Sequence, residues 1–461
     1  MPSISSLGIG SGIDLNGLLD QLEAAERKQL DPIIVKQASY EAKISAYGKL
    51  DSALSSFQDA VAKLKDPALF SSLSSTVDGE GITASDSSSA QAGRYEVSVT
   101  QLAKAQSLAS AGFSDRDAAL GGGTLSLSVG GKDIDIEIGE DASSLDDIRD
   151  AINASDAGVR ATIVNDGDPD APWRLVLTSK ETGTEATISD MSFTASGTDK
   201  GLESSLNLTA MEETVSAQNA ELTVNGIAIS SSSNKVEGAI EGVTLTLSAT
   251  GDSTVKVEND NFALRDAITT FVDSYNDLQG TVDQLTSFDS DSGAAGELLG
   301  DATLRNIDAR LRSGLVSSVD AGGLSSLSDL GITLQLDGTL ELDDKKLDEV
   351  ITNQRGDLAT FFSGTTDAAG EVVQAGFATN LDTTLGDILD DGGLLDNATT
   401  GVETRLETLD AQYARTEKTI NETVDRYRKQ FSQLDTMIAS LNQTSNYLTQ
   451  QFDALNAQTG K

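Results

Sequence analysis

Residues 402–455 constrain the fold of this chain more than any other stretch. They contain no glycine or proline, and their apolar residues recur at alternating spacings of four and three. This period is typical of a coiled coil, whereas a helix that covers a globular core carries a wider apolar stripe. The period is broken between Ile420 and Val424, where a spacing of four follows another four, as in a stutter. The series consists of Val402, Leu406, Leu409, Tyr413, Ile420, Val424, Tyr427, Phe431, Leu434, Ile438, Leu441, Leu448, Phe452 and Leu455.

The N-terminal part of the chain offers a partner for this helix. One amphipathic run lies before Asp31-Pro32, where we expect Asp31 to cap the next helix and Pro32 to occupy its first position. A second run follows and ends before Asp66-Pro67, because the residue before a proline avoids the helical region. The apolar residues of the two runs are Leu15, Leu18, Leu19 and Leu22, and then Ile33, Tyr40, Ile44, Tyr47, Leu54, Phe57, Val61 and Leu64.

The two ends of the chain therefore predict an antiparallel helix pair within one molecule, which carries the middle of the chain as a head. Two alternatives remain open: each terminal helix belongs to a separate bundle, or it pairs only between subunits. Residues 14–30 form only about four or five helical turns, which are marginal alone, so neighbouring copies must cover the remaining apolar surface. The predicted assembly surface consists of Leu15, Leu18, Leu22, Val424, Tyr427, Phe431, Leu434, Ile438, Leu441, Leu448, Phe452 and Leu455.

Composition excludes several classes of function. The 461 residues include 73 acidic and 32 basic ones, for a net charge of −41, and such a surface repels nucleic acid and anionic lipid. There is no cysteine and no histidine, which removes thiol, imidazole and zinc-ligand chemistry. The first 26 residues contain no lysine or arginine and no signal-length apolar block, and no run is long enough to span a membrane. We therefore expect no nucleic-acid partner and no membrane insertion.

The middle of the chain predicts small β-rich units. Residues 71–91 shift to serine and glycine and are interpreted as the exit from the helical stalk. Alternating residues flank Gly130-Gly131 and Asn225-Gly226, which predicts two related hairpins. Between them, Ser144 and Asp147 predict a capped short helix. Helical periodicity returns at Asn261, and Gly280 is expected to stop that helix.

These patterns together predict an α+β multidomain fold with long terminal helical arms and two inserted β-rich domains. The predicted parts are the arms, 1–35 and 425–461, disordered in the monomer; a helical leg, 36–75 and 261–424; a β-rich head domain, 76–101 and 214–260; and an outer β-rich domain inserted in it, 102–213.

No pattern predicts catalysis or metal binding. Asp289-Ser-Asp291 begins like a calcium loop, but Ala294 stands at its sixth position and Gly300 at its twelfth. The acidic stretch 166–172 is likewise interpreted as a solvated turn. We predict no catalytic residue, no cofactor and no metal site.

Several segments, taken in order, resemble one family. The chain is similar to the flagellar filament cap, or hook-associated protein 2, family in SGIDLNGLLDQLEAAERKQLDPI near the start and SVTQLAKAQSLAS at the first head strand. GTLSLSVGGKDIDI and AELTVNGIAI resemble a hairpin motif shared with hook and flagellin proteins. LLGDATLRNIDARLRS, SDLGITLQLDGTLELDD and the ending TSNYLTQQFDALN resemble the family's leg and tail.

The resemblance implies a structural role outside the cell. It implies export through the flagellum's own channel without a cleaved signal peptide, and a ring of copies, usually a pentamer, at the filament tip. It also implies that the ring retains exported flagellin and promotes its folding and insertion. Hook-filament junction proteins and a cytosolic export chaperone at the C-terminal helix are further implied partners. Two other hypotheses are a surface adhesin that uses the β-rich head and a cytosolic helical scaffold.

Overall fold

The computed structural model describes residues 7–9, 11–198, 200–367 and 372–459. The chain divides into two compact units, one made of Met1–Phe70 with Leu264–Lys461 and the other of Ser71–Ala263. The helices are α1 Leu15–Arg27, α2 Asp31–Lys65, α3 Pro67–Phe70, α4 Leu145–Ala154, α5 Gly201–Ser205, α6 Asn261–Thr286, α7 Ala302–Leu315, α8 Asp344–Asn353, α9 Arg355–Ser363, α10 Phe377–Leu389 and α11 Leu394–Thr459.

Nineteen strands accompany these helices in the described residues. They are β1 Leu73–Gly79, β2 Ile82–Asp86, β3 Gly93–Gln101, β4 Ser107–Ala109, β5 Gly123–Val129, β6 Lys132–Ile138, β7 Val159–Asn165, β8 Trp173–Ser179, β9 Ile188–Ala195, β10 Glu212–Val215, β11 Ala220–Val224, β12 Ile227–Ser231, β13 Lys235–Ile240, β14 Val243–Leu247, β15 Gly251–Asn259, β16 Ile332–Leu334, β17 Leu340–Leu342, β18 Gly364–Thr366 and β19 Val372–Ala375. The predicted α+β class, with a long C-terminal helix and β-rich sheets, is confirmed.

The helical unit is built around α2. Its apolar residues recur on one face, and Leu50, Leu54, Phe57, Val61 and Leu64 are all fully buried. They join one core with the buried faces of α6 to α10 and the start of α11. The Phe57 ring lies 5.5 Å from that of Phe271 and 5.4 Å from that of Tyr275 on α6. Such aromatic contacts add about 0.5–1.5 kcal/mol each to the burial of apolar area, so α2 is held firmly by its C-terminal half.

The β-rich unit contains two separate apolar cores. One is formed by residues 82–103 with 220–257, between the sheet β1-β15-β3-β11-β12 and the sheet β13-β14-β2. The other lies within residues 108–211, where the sheets β10-β4-β8-β7 and β6-β5-β9 pack with α4. Because both cores belong to one compact unit, the predicted domain boundaries near 102 and 213 stay a prediction.

Turn chemistry explains the hairpins of this unit. Asn225 and Gly226 both have positive φ, 49° and 81°, as a two-residue turn of the favoured hairpin type requires. Gly130 and Gly131, which connect β5 to β6, also both have positive φ, 58° and 80°. Ser144 and Asp147 form the predicted capping box at the start of α4. Both hairpins and the capped helix are confirmed.

Residues 71–91, interpreted as the exit from the helical stalk, follow α3 and contain β1 and β2, because β1 pairs with β15 and β2 pairs with β14, far along the chain. Two local predictions were wrong. The helix α6 continues through Gly280 to Thr286, since the burial of Leu285 in the core of the helical unit outweighs the cost of a helical glycine. Asp31 is the first residue of α2 and makes no capping bond, because the N-cap position falls on Leu30.

Candidate assembly surface

The helix α1 packs on the middle of α11. Leu19 and Leu30 form a small buried cluster with Ile420 and Val424. Tyr413, Tyr427 and Phe431 pack partly buried against this cluster. Ile420 and Val424 both face this cluster because residues four apart lie on the same face of a helix. The surface Ile420, Val424, Tyr427 and Phe431 is called the covered seam below.

Polar contacts show that this helix pair is antiparallel. The Ser11 amide donates to Asp435 Oδ1 at 2.8 Å, and the Tyr427 hydroxyl donates to Glu26 Oε1 at 3.2 Å. Further along, Gln37 Nε2 donates to Asp410 Oδ1 at 2.5 Å. Residue numbers rise on the N-terminal side as they fall on α11. The structure therefore contains an antiparallel pair within one molecule, as the terminal patterns predicted.

Arg27 adds an exposed charge at this junction. Its Nε lies 2.9 Å from Glu23 Oε1, and its Nη1 lies 3.9 Å from Glu417 Oε1. The hydrogen bond to Glu23, together with its charge, raises the pKa of the Arg27 guanidinium. Because the side chains of Arg27, Glu23 and Glu417 are all partly exposed to solvent, these two ion pairs contribute little to stability.

The predicted assembly residues fall into three groups. Leu15 and Val424 are buried. Leu22, Tyr427, Phe431 and Ile438 are half-buried. The exposed fraction is 44% for Leu18, 41% for Leu434, 60% for Leu441, 48% for Leu448, 63% for Phe452 and 53% for Leu455. Leu434, Leu441, Leu448, Phe452 and Leu455 are called the exposed seam below.

The exposed seam lies on a helix surface of unusual composition. Every residue from 440 to 456 is exposed. Met437 and Tyr447 add exposed apolar area, at 62% and 60%, although neither belongs to the heptad series. Residues 430–452 include one charged side chain, Asp435, in a chain with a net charge of −41. The heptad series alone did not single out this charge-poor segment, and a count of charges along α11 would have found it.

The structure shows 425–459 as part of one helix. The disorder of the arms 1–35 and 425–461 in the monomer stays a prediction. Within these arms, residues 1–6, 10, 460 and 461 lie outside the described part of the chain.

The acidic turns that were weighed as cation sites are satisfied by protein donors. Asp289 Oδ1 accepts from the amides of Asp291 and Ser292. Asp166 accepts from the Arg174 guanidinium, which holds the pKa of that carboxyl below its usual value. Within the described ranges, no group of three or more potential ligand side chains is arranged to hold a metal ion. In the same residues, no helix has the length and apolarity that a bilayer crossing requires.

Comparison with known proteins places the chain in a family. A family model described as flagellar hook-associated protein 2 C-terminus matches residues 217–443, and the corresponding N-terminus model matches residues 11–106. A relative of the same name from Escherichia coli (strain K12) is 40% identical over 98% of this chain and 99% of its own length. The chain belongs to the flagellar hook-associated protein 2 family.

Further similarities agree with this assignment. The hook-associated protein 2 of Xenorhabdus nematophila is 37% identical over 98% of this chain and 99% of its own length. The chain is similar to the crystal structure of the D1-D2-D3 domains of the flagellar cap protein FliD from Escherichia coli, with a TM-score of 0.62 and 36% identity over 78% of this chain and 99% of that one. A model described as flagellin hook IN motif matches residues 124–181, which include the first hairpin. Membership of the hook-associated protein 2 family favours a flagellar cap role over an adhesin.

Proposed function

We propose that this protein caps the distal tip of the bacterial flagellar filament. In this role it retains exported flagellin and promotes its folding and insertion, so the filament elongates beneath it. The match to hook-associated protein 2 relatives over 98% of the chain carries the proposal. A cap acts as scaffold and chamber, and we expect no catalytic activity.

The exposed seam on the C-terminal part of α11 supports the proposal that copies of the chain assemble. The exposed seam places five large apolar side chains in solvent along one face of α11. Burying such a side chain is worth about 1.5–3 kcal/mol, so several copies that cover each other's seams gain substantial free energy. We propose a closed ring, since a heterologous contact that closes generates a ring. Five is the number of copies that the family resemblance implies.

Other partners follow from the same role. Flagellin passes through the cap, and the hook-filament junction proteins provide the surface on which the cap first sits. A cytosolic export chaperone that binds the C-terminal helix would shield the exposed seam before export. We propose export to the filament tip without a cleaved signal peptide.

Deletion of the gene tests the proposed function. Cells without the protein should make no filaments and should release flagellin into the medium. Expression of the intact chain in the deletion strain should restore filaments, with the protein labelled at their tips. Normal filaments in the deletion strain would contradict a cap role, and label spread over the envelope would support an adhesin.

A further inference from the structure

The helix α11 changes character near residue 430. Residues 402–429 include twelve charged side chains of both signs, whereas residues 430–452 include Asp435 alone. The first segment contains the part that α1 covers, and the second carries most of the exposed seam. An exposed helix in a strongly acidic protein normally keeps its charges for solubility. The charge-poor segment of α11 therefore begins near residue 430, where the apolar seam is no longer covered by α1 and another surface must cover it.

The charge-poor positions include those that flank the seam. In a parallel two-stranded coiled coil, the flanking positions usually carry Glu and Lys, whose opposite charges select the partner. Here the flanking residues from 430 to 452 are Gln430, Met437, Asn442, Thr444, Thr449 and Gln451, together with Asp435. Asp435 already accepts a hydrogen bond from the Ser11 amide of the same molecule. The flanks thus carry little charge with which to select a different, charged helix.

Neutral amides and hydroxyls are well suited to a contact between two copies of the same helix. An amide has both donors and an acceptor, so the amides and hydroxyls of two copies can bond each other without charge repulsion. Two copies of the same charge repel, and in a chain with a net charge of −41 every approach of two copies has to overcome repulsion. In a ring with cyclic symmetry, corresponding residues of all copies lie at the same height along the axis, so neighbouring helices run parallel and in register.

We propose that the segment 430–456 of α11 packs parallel and in register against the same segment of neighbouring copies. This inference rests on the proposed ring and names the partner and orientation of its seam: the occupant is a second copy of this helix. The apolar residues Leu441 and Leu448 then form layers of identical side chains, and the neutral flanks close over them.

Cysteine cross-linking tests the register directly, because the chain contains no cysteine. Two cysteines join only when their Cα atoms lie within about 7 Å. Under mild oxidation, the variant Leu441→Cys in the full-length assembled protein should form disulfides that each join two neighbouring copies into a covalent dimer. The matched control Thr408→Cys lies exposed on the charged part of the same helix and should remain unlinked. Assembled rings in which Leu441→Cys does not cross-link would overturn the parallel arrangement while leaving the cap role intact.

Charge substitution tests the flanks. In a parallel pair, Met437 of one copy lies close to Asn442 of the next. We expect Met437→Glu with Asn442→Glu to raise the concentration needed for half-assembly by about tenfold or more, and the matching double Lys variant to do the same. The double variant Met437→Glu with Asn442→Lys should recover assembly, because unlike charges then meet at every contact of the ring, whatever its number of copies.

The outcomes of this experiment distinguish a failure of the parallel helix contact from a failure of the proposed ring. If only one sign of charge weakens assembly and the variant Met437→Glu with Asn442→Lys gives no recovery, the occupant is a different partner and the inference fails. If the wild-type protein forms no oligomer at any concentration, the ring itself is contradicted.

Discussion

Asp301 shows how one side chain joins two helices of the helical unit. Its Oδ1 accepts the amides of Thr303 and Leu304 at the start of α7. Its Oδ2 accepts Lys43 Nζ at 2.6 Å and the Tyr47 hydroxyl at 3.0 Å, both from α2. The side chain is 7% exposed. A carboxylate with four donors is strongly stabilised in its charged form, because each bond favours the anion.

The substitution Asp301→Asn should therefore destabilise the helical unit. The amide keeps one acceptor but cannot neutralise Lys43, so we expect a loss of about 1–3 kcal/mol in the free energy of unfolding, measured with urea at pH 7. The matched control is Asp348→Asn, since Asp348 is exposed and its partner Arg265 also contacts Asp344. That change should cost less than about 1 kcal/mol. Equal effects of the two substitutions would contradict the role of Asp301.

The same residue predicts an acid-sensitive contribution to stability. Burial alone would raise the pKa of Asp301, but the hydrogen bonds from Lys43, Leu304 and Tyr47 outweigh it and lower the pKa. A lowered pKa means that the stabilisation is fully present above the unfolded value of about 3.9 and is lost as pH falls through the folded value. The stability difference between wild type and Asp301→Asn should thus shrink below about pH 4. A difference that stays constant down to pH 2 would contradict this assignment.

At the scale of elements, local chemistry predicted some features and tertiary contacts decided others. The turn at Asn225-Gly226 and the cap at Ser144 were predictable because their geometry depends on neighbouring residues alone. The strands in 71–91 were not, because their serine-rich alternation is weak and their partners lie far along the chain. The heptad series gave the seam, but its division into covered and exposed parts depends on where α1 packs.

The helix α6 offers a prediction at the same scale. Apart from the nearby backbone of α6 itself, no atom lies within 4 Å of the position that a Cβ on Gly280 would take, and its φ lies outside the left-handed region. The substitution Gly280→Ala should therefore stabilise the protein by about 0.5–1 kcal/mol, because alanine favours the helix and loses less entropy on folding. The control Gly364→Ala should destabilise it, since that residue has φ of 88° and its Cβ would lie 2.1 Å from Gln374 O. Thermal unfolding of both variants checks the pair.

At the scale of the whole molecule, the exposed seam separates folding from assembly. Leu434 is 41% exposed in the single chain, so Leu434→Asp should leave both compact units folded. In a ring, the same aspartate would be buried without a partner, which is strongly unfavourable. We expect a folded, exportable protein that stays monomeric in sedimentation analysis. The control Gln433→Asp changes an exposed residue that does not belong to the exposed seam, and this variant should still assemble. A Leu434→Asp variant that forms full rings would show that this face is not the assembly surface.

Hydrogen exchange on the full-length protein, as a verified monomer and as the assembled ring, tests the central claim most directly. Residues 50–64 of α2 lie in the core of the helical unit and provide a reference that should exchange slowly in both states. Amides of residues 440–455 should exchange rapidly in the monomer, where every side chain is exposed, and should become protected in the ring. Strong protection of these amides in the monomer, or none in the ring, would contradict an arm that neighbouring copies order and cover.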